Sequence, residues 1–353
     1  MLPRMRRWLF LVLLLCACKP SESPIETDSA PAAPALGDVC PALLSEESLT
    51  DPPAVPVQGL GVRILAFGDF GEQPNRNQAP QRDVAGAMAA YHKDRPFDLG
   101  VVLGDNFYPA GLRSVTDPRW TSQWERLYSP LGIRFYAVLG NHDYKNGASP
   151  AAEMARSRRS ATWCLPRPWF TFTAGPVQLF AVDTTPVEEP RYEVGDAMAV
   201  QRQWLDRALG ASRARWKIVY GHHPVYTNGE HGEPTGSLPR IRDYLLPLLR
   251  KHKVDIYLAG HDHDLEILEP EDGVHFVVSG AGGRHLRGFE TDRCQRWGSA
   301  RNHGFTVLET DATGLTLSVS FVERAEGVPF RVVWGPEKIE KGADSECRDL
   351  PAR

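Results

Sequence analysis

The sequence predicts an α/β fold, and three observations predict it. Short β-branched apolar runs alternate with helical patterns along most of residues 60–335. The last three runs follow one another with no helix between them. Five runs end in a glycine followed directly by a side chain able to bind a metal. A chain of 353 residues fits one large domain or two small ones. With no linker inside residues 60–335, one is the simpler reading.

The elements follow in order. Residues 62–67 read as a strand ending at Gly68-Asp69, and residues 82–92 as a helix. A second strand, 99–103, ends at Gly104-Asp105. Trp120, Trp124 and Leu127 recur at helical spacing before a third strand, 135–139, which ends at Gly140-Asn141-His142-Asp143. A strand at 177–182 and a helix at 201–209 come next. The run 217–220 enters Gly221-His222-His223-Pro224. After a helix at 240–250, the run 255–259 enters Gly260-His261-Asp262-His263. Residues 274–278, 305–308 and 315–319 are the strands without intervening helices.

The amino-terminal segment reads as an export signal. Arg4, Arg6 and Arg7 precede an apolar run at 8–15 that rises only about 12 Å as a helix, too short for a bilayer core. Leu15-Cys16-Ala17-Cys18 resembles a bacterial lipoprotein processing box, with Cys18 as the lipid-bearing residue. Lys19, rather than an aspartate, leans towards the outer membrane. The expectation is an exported monomer held on the periplasmic face of the cell envelope through lipid on Cys18 alone. Residues 18–58, rich in Pro, Ala, Ser and Glu, read as a flexible tether, and 59–353 as the domain. The formal charge of −4 and scattered basic residues exclude a nucleic-acid partner. Cys40, Cys164, Cys294 and Cys347 suggest two disulfides in an oxidising compartment. The flanking positions of Cys40 and Cys347 favour a staple between them, with Cys164–Cys294 as the second pair.

The strand-ending motifs carry the chemistry. In open α/β sheets, ligands gather on short loops beyond the carboxyl ends of strands. Any one Gly-Asp or lone histidine is ordinary turn or surface chemistry. Five at equivalent strand ends are not. The candidates Asp69, Asp105, Tyr108, Asn141, His222, His261 and His263 include no thiolate, which suits Fe, Mn or Zn in a hydrolytic centre. His261 and His263, two apart in extended chain, can point into one cluster.

Together these segments resemble the calcineurin-like metallophosphoesterase signature, and more narrowly the purple (tartrate-resistant) acid phosphatases. Gly71 stands where the wider superfamily has a histidine, and Tyr108 is present instead. The likeness extends to Tyr226-Thr227-Asn228-Gly229-Glu230-His231-Gly232. The resemblance implies a sandwich of two mixed β-sheets flanked by helices. It implies Fe(III) on Asp69, Tyr108 and His263, with Asp105 bridging. Asn141, His222 and His261 would then hold a divalent Fe, Zn or Mn. His142 and His231 would stand beside the leaving group, His142 as general acid, in hydrolysis of a small phosphate monoester by metal-bound hydroxide. Two carboxylates and a phenolate contribute about −3 against roughly +5 from the metals, which leaves a positive pocket for phosphate.

His223 departs from the mammalian relatives, which have an aromatic residue there. The Gly-His-x-Pro register gives the ligand role to His222 and leaves His223 to substrate or solvent. Substrate choice is expected to lie in loops 109–118 and 144–162. A phosphodiesterase or nucleotide pyrophosphatase on the same centre is therefore an alternative. A non-catalytic surface module that keeps the fold is another, although it would not need His142.

Overall fold

The computed structural model describes residues 40, 43, 48–71, 78–232 and 238–345. The chain divides into two units, Met1–Pro34 and Ala35–Arg353, and everything described below belongs to the second. The signal segment, Cys18 and Cys347 lie outside the described residues.

Two mixed sheets form the frame. With strands numbered in chain order, the first holds β2 (Arg63–Phe67), β3 (Leu99–Val102), β4 (Arg134–Ala137), β5 (Trp163–Cys164), β13 (Gly304–Thr310), β14 (Leu317–Ala325) and β15 (Val328–Lys338). Its order is β15-β14-β13-β2-β3-β4-β5. The strands β2 to β5 run parallel, and β13 joins β2 antiparallel. The second sheet holds β1 (Ala54–Val55), β6 (Phe170–Ala174), β7 (Val177–Ala181), β8 (Trp216–Tyr220), β9 (Ile256–Ala259), β10 (Leu265–Leu268), β11 (His275–Ser279) and β12 (Gln295–Ser299). Its order is β1-β6-β7-β8-β9-β11-β10-β12, parallel from β7 through β11.

Side-chain alternation explains why the second sheet is covered on both faces. Successive residues of a strand point to opposite sides. On β8, Ile218 and Tyr220 join the core between the sheets, while Val219 joins a separate core. On β9, Ile256 and Leu258 face inward, and Tyr257 and Ala259 outward. That outer core is closed by the helices Ala197–Ala211 and Pro239–Lys251, through Trp204, Leu205, Leu209, Leu245 and Leu249. Strands buried on both faces read as continuous apolar runs, which is how β8 and β9 look in the sequence. The helix Ala79–Asp94 buries Val84, Met88 and Tyr91 at helical spacing against the first sheet's core.

Aromatic packing braces the site loops. Trp120 and Trp124 lie in a π-helical stretch, Trp120–Glu125, that runs into the short turn Arg126–Tyr128. Trp124 meets Trp163 edge-on at 4.7 Å and Phe70 at 5.9 Å, and Trp120 meets Phe107 at 4.8 Å. Phe70 follows Asp69, and Phe107 precedes Tyr108, so this cluster anchors the backbone on which those two sit.

Two expectations need correction. Cys40 pairs with Cys164, not with Cys347. Cys294 is also disulfide-bonded, and its partner lies outside the described residues, so Cys164–Cys294 is excluded. Position along the chain was a poor guide, because β5 carries Cys164 to the edge of its sheet. The tether expected over 18–58 is also anchored at its far end. Cys40 and Leu43 are buried, and β1 pairs with β6.

A peptide map of the non-reduced protein should therefore recover residues 40 and 164 in one linked fragment. Cys40→Ser with Cys164→Ser should lower unfolding stability by about 2–4 kcal/mol, since the bond closes a long loop. A linked fragment holding residues 40 and 347 would refute the pairing.

Candidate metal centre

The site lies where the carboxyl ends of both sheets' parallel strands meet. β2, β3 and β4 deliver Asp69, Asp105 and Asn141, while β8 and β9 deliver His222, His261 and His263. Backbone hydrogen bonds join the two sheets there, from Gly68 N–H to the Ser279 carbonyl at 2.8 Å and from Gly282 N–H to the Gly68 carbonyl at 3.1 Å. Asp69, Asp105 and His261 have φ of 55°, 50° and 73°. This left-handed region is unfavourable for side chains other than glycine and persists only where the surroundings impose it. The turns turn back on themselves, and each places a carboxylate or imidazole in the centre. A Cβ on Gly140 would lie 2.2 Å from the Asp105 nitrogen, and one on Gly260 2.5 Å from Asp69 Oδ2. Those two glycines are there because the carboxylates occupy the space.

The seven candidates converge. The Tyr108 hydroxyl sits 3.0 Å from Asp69 Oδ1, 2.9 Å from Asp105 Oδ2 and 3.5 Å from His263 Nε2. His222 Nε2 is 3.1 Å from Asn141 Oδ1, 3.2 Å from His261 Nδ1 and 3.4 Å from Asp105 Oδ1. Asp69 Oδ2 accepts the His261 backbone N–H at 2.9 Å. Asp105 thus touches both halves of the cluster, with one oxygen towards Tyr108 and the other towards His222.

Outer hydrogen bonds select which imidazole nitrogen faces inward. His222 Nδ1–H donates to the Leu103 carbonyl at 2.8 Å, and His263 Nδ1–H to the His285 carbonyl at 2.7 Å. Each leaves Nε2 as a lone-pair donor towards the centre. Burial keeps these rings neutral. It lowers His222, holds His261 well below the usual histidine range, and takes His263 down to about 3.

The electrostatics call for a cation. Burial and then repulsion from Asp105 push Asp69 well above the usual carboxylate range. Burial and the same two carboxylates push the Tyr108 phenol far up. Among the described residues, the ion-pair partners of Asp69 and Asp105 are imidazoles alone. Two adjacent buried acids with a phenol between them are costly without compensating positive charge. An oxygen-rich and a nitrogen-rich half-site that share Asp105 suit a pair of metal ions. The residues fit that group.

His142 and His231 flank the centre. His142 Nδ1–H donates to the Pro109 carbonyl at 2.6 Å, and its Nε2 lies 2.8 Å from Lys145 Nζ and 3.9 Å from Asp105 Oδ2. His231 Nδ1–H donates to Asp262 Oδ1 at 2.7 Å, and the ring lies over His261 at 3.9 Å. His223 does not face solvent. It is buried, its Nδ1 is 2.9 Å from the Thr184 hydroxyl, and its ring lies 4.4 Å from His261.

Several working residues escaped sequence reasoning. Asp262 orients His231, and its other oxygen accepts from Thr227 at 2.7 Å. Asp143 accepts backbone N–H groups of Asn106, Phe107 and Gly140, tying the β3 and β4 loops together. Both stand inside the quoted motifs, so their position was the available signal. Lys145, Arg284 and Arg287 lie outside every motif. The Arg284 guanidinium covers the Tyr108 ring at 4.4 Å.

Comparison with known proteins agrees with this geometry. Residues 62–265 match the family model described as calcineurin-like phosphoesterase. The chain is 32% identical to tartrate-resistant acid phosphatase type 5 of Sus scrofa, over 81% of this chain and 88% of that one. It is 34% identical to purple acid phosphatase 17 of Arabidopsis thaliana, over 64% and 70% respectively. Among solved structures, GAP50 of Plasmodium, described as the anchor in the inner membrane complex, superposes with a TM-score of 0.65 at 22% identity, over 82% of this chain and 90% of that one. The purple acid phosphatase PPD1 of yellow lupin does so with a TM-score of 0.61 at 18% identity, over 78% and 54%. At those identities the structures speak for the fold alone. The family match and the close relatives, set on this convergent cluster, show that the chain belongs to the calcineurin-like phosphoesterases, on their purple acid phosphatase branch, and is a hydrolase of phosphoesters at a two-metal site.

Proposed function

We propose that the chain hydrolyses small phosphate monoesters, with Fe(III) held by Asp69, Tyr108 and His263. Asp105 would serve both ions, and Asn141, His222 and His261 would hold a divalent Fe, Zn or Mn ion. The observation that carries this reading is the Tyr108 hydroxyl, buried between Asp69 and Asp105 and within reach of His263. A phenol pushed up by burial and by two carboxylates ionises there only beside a strongly charged hard cation. When bound, the two ions supply a water-derived nucleophile below neutrality and positive charge for the phosphate.

The protein's own groups do the rest. His222 and His263 keep their Nε2 lone pairs pointed inward through their carbonyl-bound Nδ1 protons. His142 is the proposed general acid: its Nδ1–H is fixed on Pro109, so Nε2 is the atom offered to the leaving oxygen. His231, held by Asp262, is proposed to position the substrate on the opposite flank. Diester and nucleotide pyrophosphate hydrolysis would use the same centre and remains the alternative substrate range. A purely non-catalytic module has less support, because it would need no proton donor at His142.

We further propose that the protein is exported and works as a monomer on the periplasmic face of the envelope, lipid-anchored through Cys18. Among the described residues no helix is long and apolar enough to cross a membrane.

Two variants test the residue roles. Tyr108→Phe should lose the visible phenolate-to-iron absorbance of the oxidised protein while keeping two metals and measurable hydrolysis. A wild-type protein that is colourless and holds only zinc would defeat the ferric assignment. His142→Ala should slow an alkyl phosphate by ~10²–10⁴-fold and nitrophenyl phosphate much less, because a stable leaving anion needs little protonation. Equal loss on both, at unchanged metal content, would mean that His142 positions phosphate and does not protonate the leaving oxygen.

A further inference from the structure

Each imidazole flanking the centre carries a cation from outside the signature motifs. Lys145 Nζ donates to His142 Nε2 at 2.8 Å. Arg287 Nη1 lies 3.3 Å from His231 Nε2 and 3.4 Å from its Nδ1. Lys145 caps the short helix Asn141–Tyr144, within one of the loops expected to set substrate choice. Arg287 lies on the loop after β11, its backbone N–H directed at the His263 carbonyl. The two reach the same mouth from different sheets.

Neither cation is well neutralised where it stands. Arg287 pairs with Glu230 at 3.0 Å, but the Glu230 side chain is 58% exposed. Such a half-exposed pair is weak and yields to a better anion. Lys145 is exposed, and among the described residues no carboxylate pairs with it; its contact is the His142 ring. The nearby Glu189 is engaged by Arg191. Arg284, by contrast, is buried over Tyr108 and turned to the metal side. Protonating a leaving alcohol takes one imidazole, and a neutral alcohol offers a lysine and an arginine only an uncharged acceptor, a weaker partner than an anion. A carboxylate or second phosphate on the leaving group would meet both, with the guanidinium able to grip it bidentately.

We propose that Lys145 and Arg287 are specificity-determining arms that select phosphoesters whose leaving group carries a second anion, a carboxylate or a phosphate. This rests on the reading of His142 and His231 as the groups on the leaving side.

The test compares kcat/KM on three substrates with similar alkyl leaving groups: glycerol 3-phosphate, 3-phosphoglycerate and propane-1,3-diyl bisphosphate. The metal-loaded wild type should favour one or both anionic substrates by about tenfold or more, the range of a charge-assisted hydrogen bond. Which one it favours identifies the second anion. The preference should shrink as salt rises. Lys145→Met and Arg287→Met should each erode the preference, and Lys145→Glu or Arg287→Glu should reverse it. Equal turnover of all three substrates by the wild type would overturn the selectivity and leave the phosphatase reading standing. So would variants that slow all three by the same factor, because these residues would then serve only to position the imidazoles. Hydrolysis of none of the three would overturn both readings.

Discussion

The burial of Asp69 and Asp105 side by side, with the Tyr108 hydroxyl between them, is the constraint on which the rest of this structure depends. Two carboxylates in a low-dielectric interior repel each other and lose hydration, and both effects favour the protonated form. Despite burial, the His222 and His142 rings hold Asp105 below the usual carboxylate range, while burial and Asp105 push Asp69 well above it, so one acid of the pair is left uncompensated. The imidazoles relieve the rest as ligands. His222, held on the Leu103 carbonyl, and His263, held on the His285 carbonyl, offer their lone pairs to the same small volume. The arrangement is unfavourable for an empty protein interior and favourable around two metal ions.

The two-sheet frame is what holds that arrangement in place. Parallel β2, β3 and β4 bring oxygen ligands to one edge, and β8 and β9 bring nitrogen ligands to the same edge from the other sheet. Left-handed backbone at Asp69, Asp105 and His261 costs of order 1–3 kcal/mol each, offset by the hydrogen bonds and packing around the loops. Asp143 clamps two of those loops through their backbone N–H groups, and the Trp120–Trp124–Trp163 cluster stiffens them from behind. Precision at the centre is therefore a property of the loops' supports as much as of the ligands.

Much of this was legible in the sequence, and the exceptions have physical reasons. The strands that end in glycine and a ligand were found with boundaries within about two residues, because buried parallel strands are continuous apolar runs. Strands β1, β5, β6, β10, β12 and β15 went unread. β5 has only two residues, and β15 is largely exposed and mixes Pro, Gly and charge, so neither shows a clean period. The disulfide was misread because chain position does not report which edge strand lies nearest. His223 was left to substrate or solvent because the Gly-His-x-Pro register gave the ligand role to His222, whereas the Thr184 hydroxyl turns it inward. Lys145 and Arg287 could not be found at all, since a lone cation acquires meaning only when the fold sets it on a particular imidazole.

The central claim, that the buried acids exist to hold two metal ions that perform phosphoester hydrolysis, is tested most directly by one paired measurement. Elemental analysis and phosphate release are followed on the same purified sample before chelation, after it, and on reloading. The account predicts two ions per chain, turnover that disappears with them, and recovery when both return. Undiminished turnover in the fully chelated protein would contradict it.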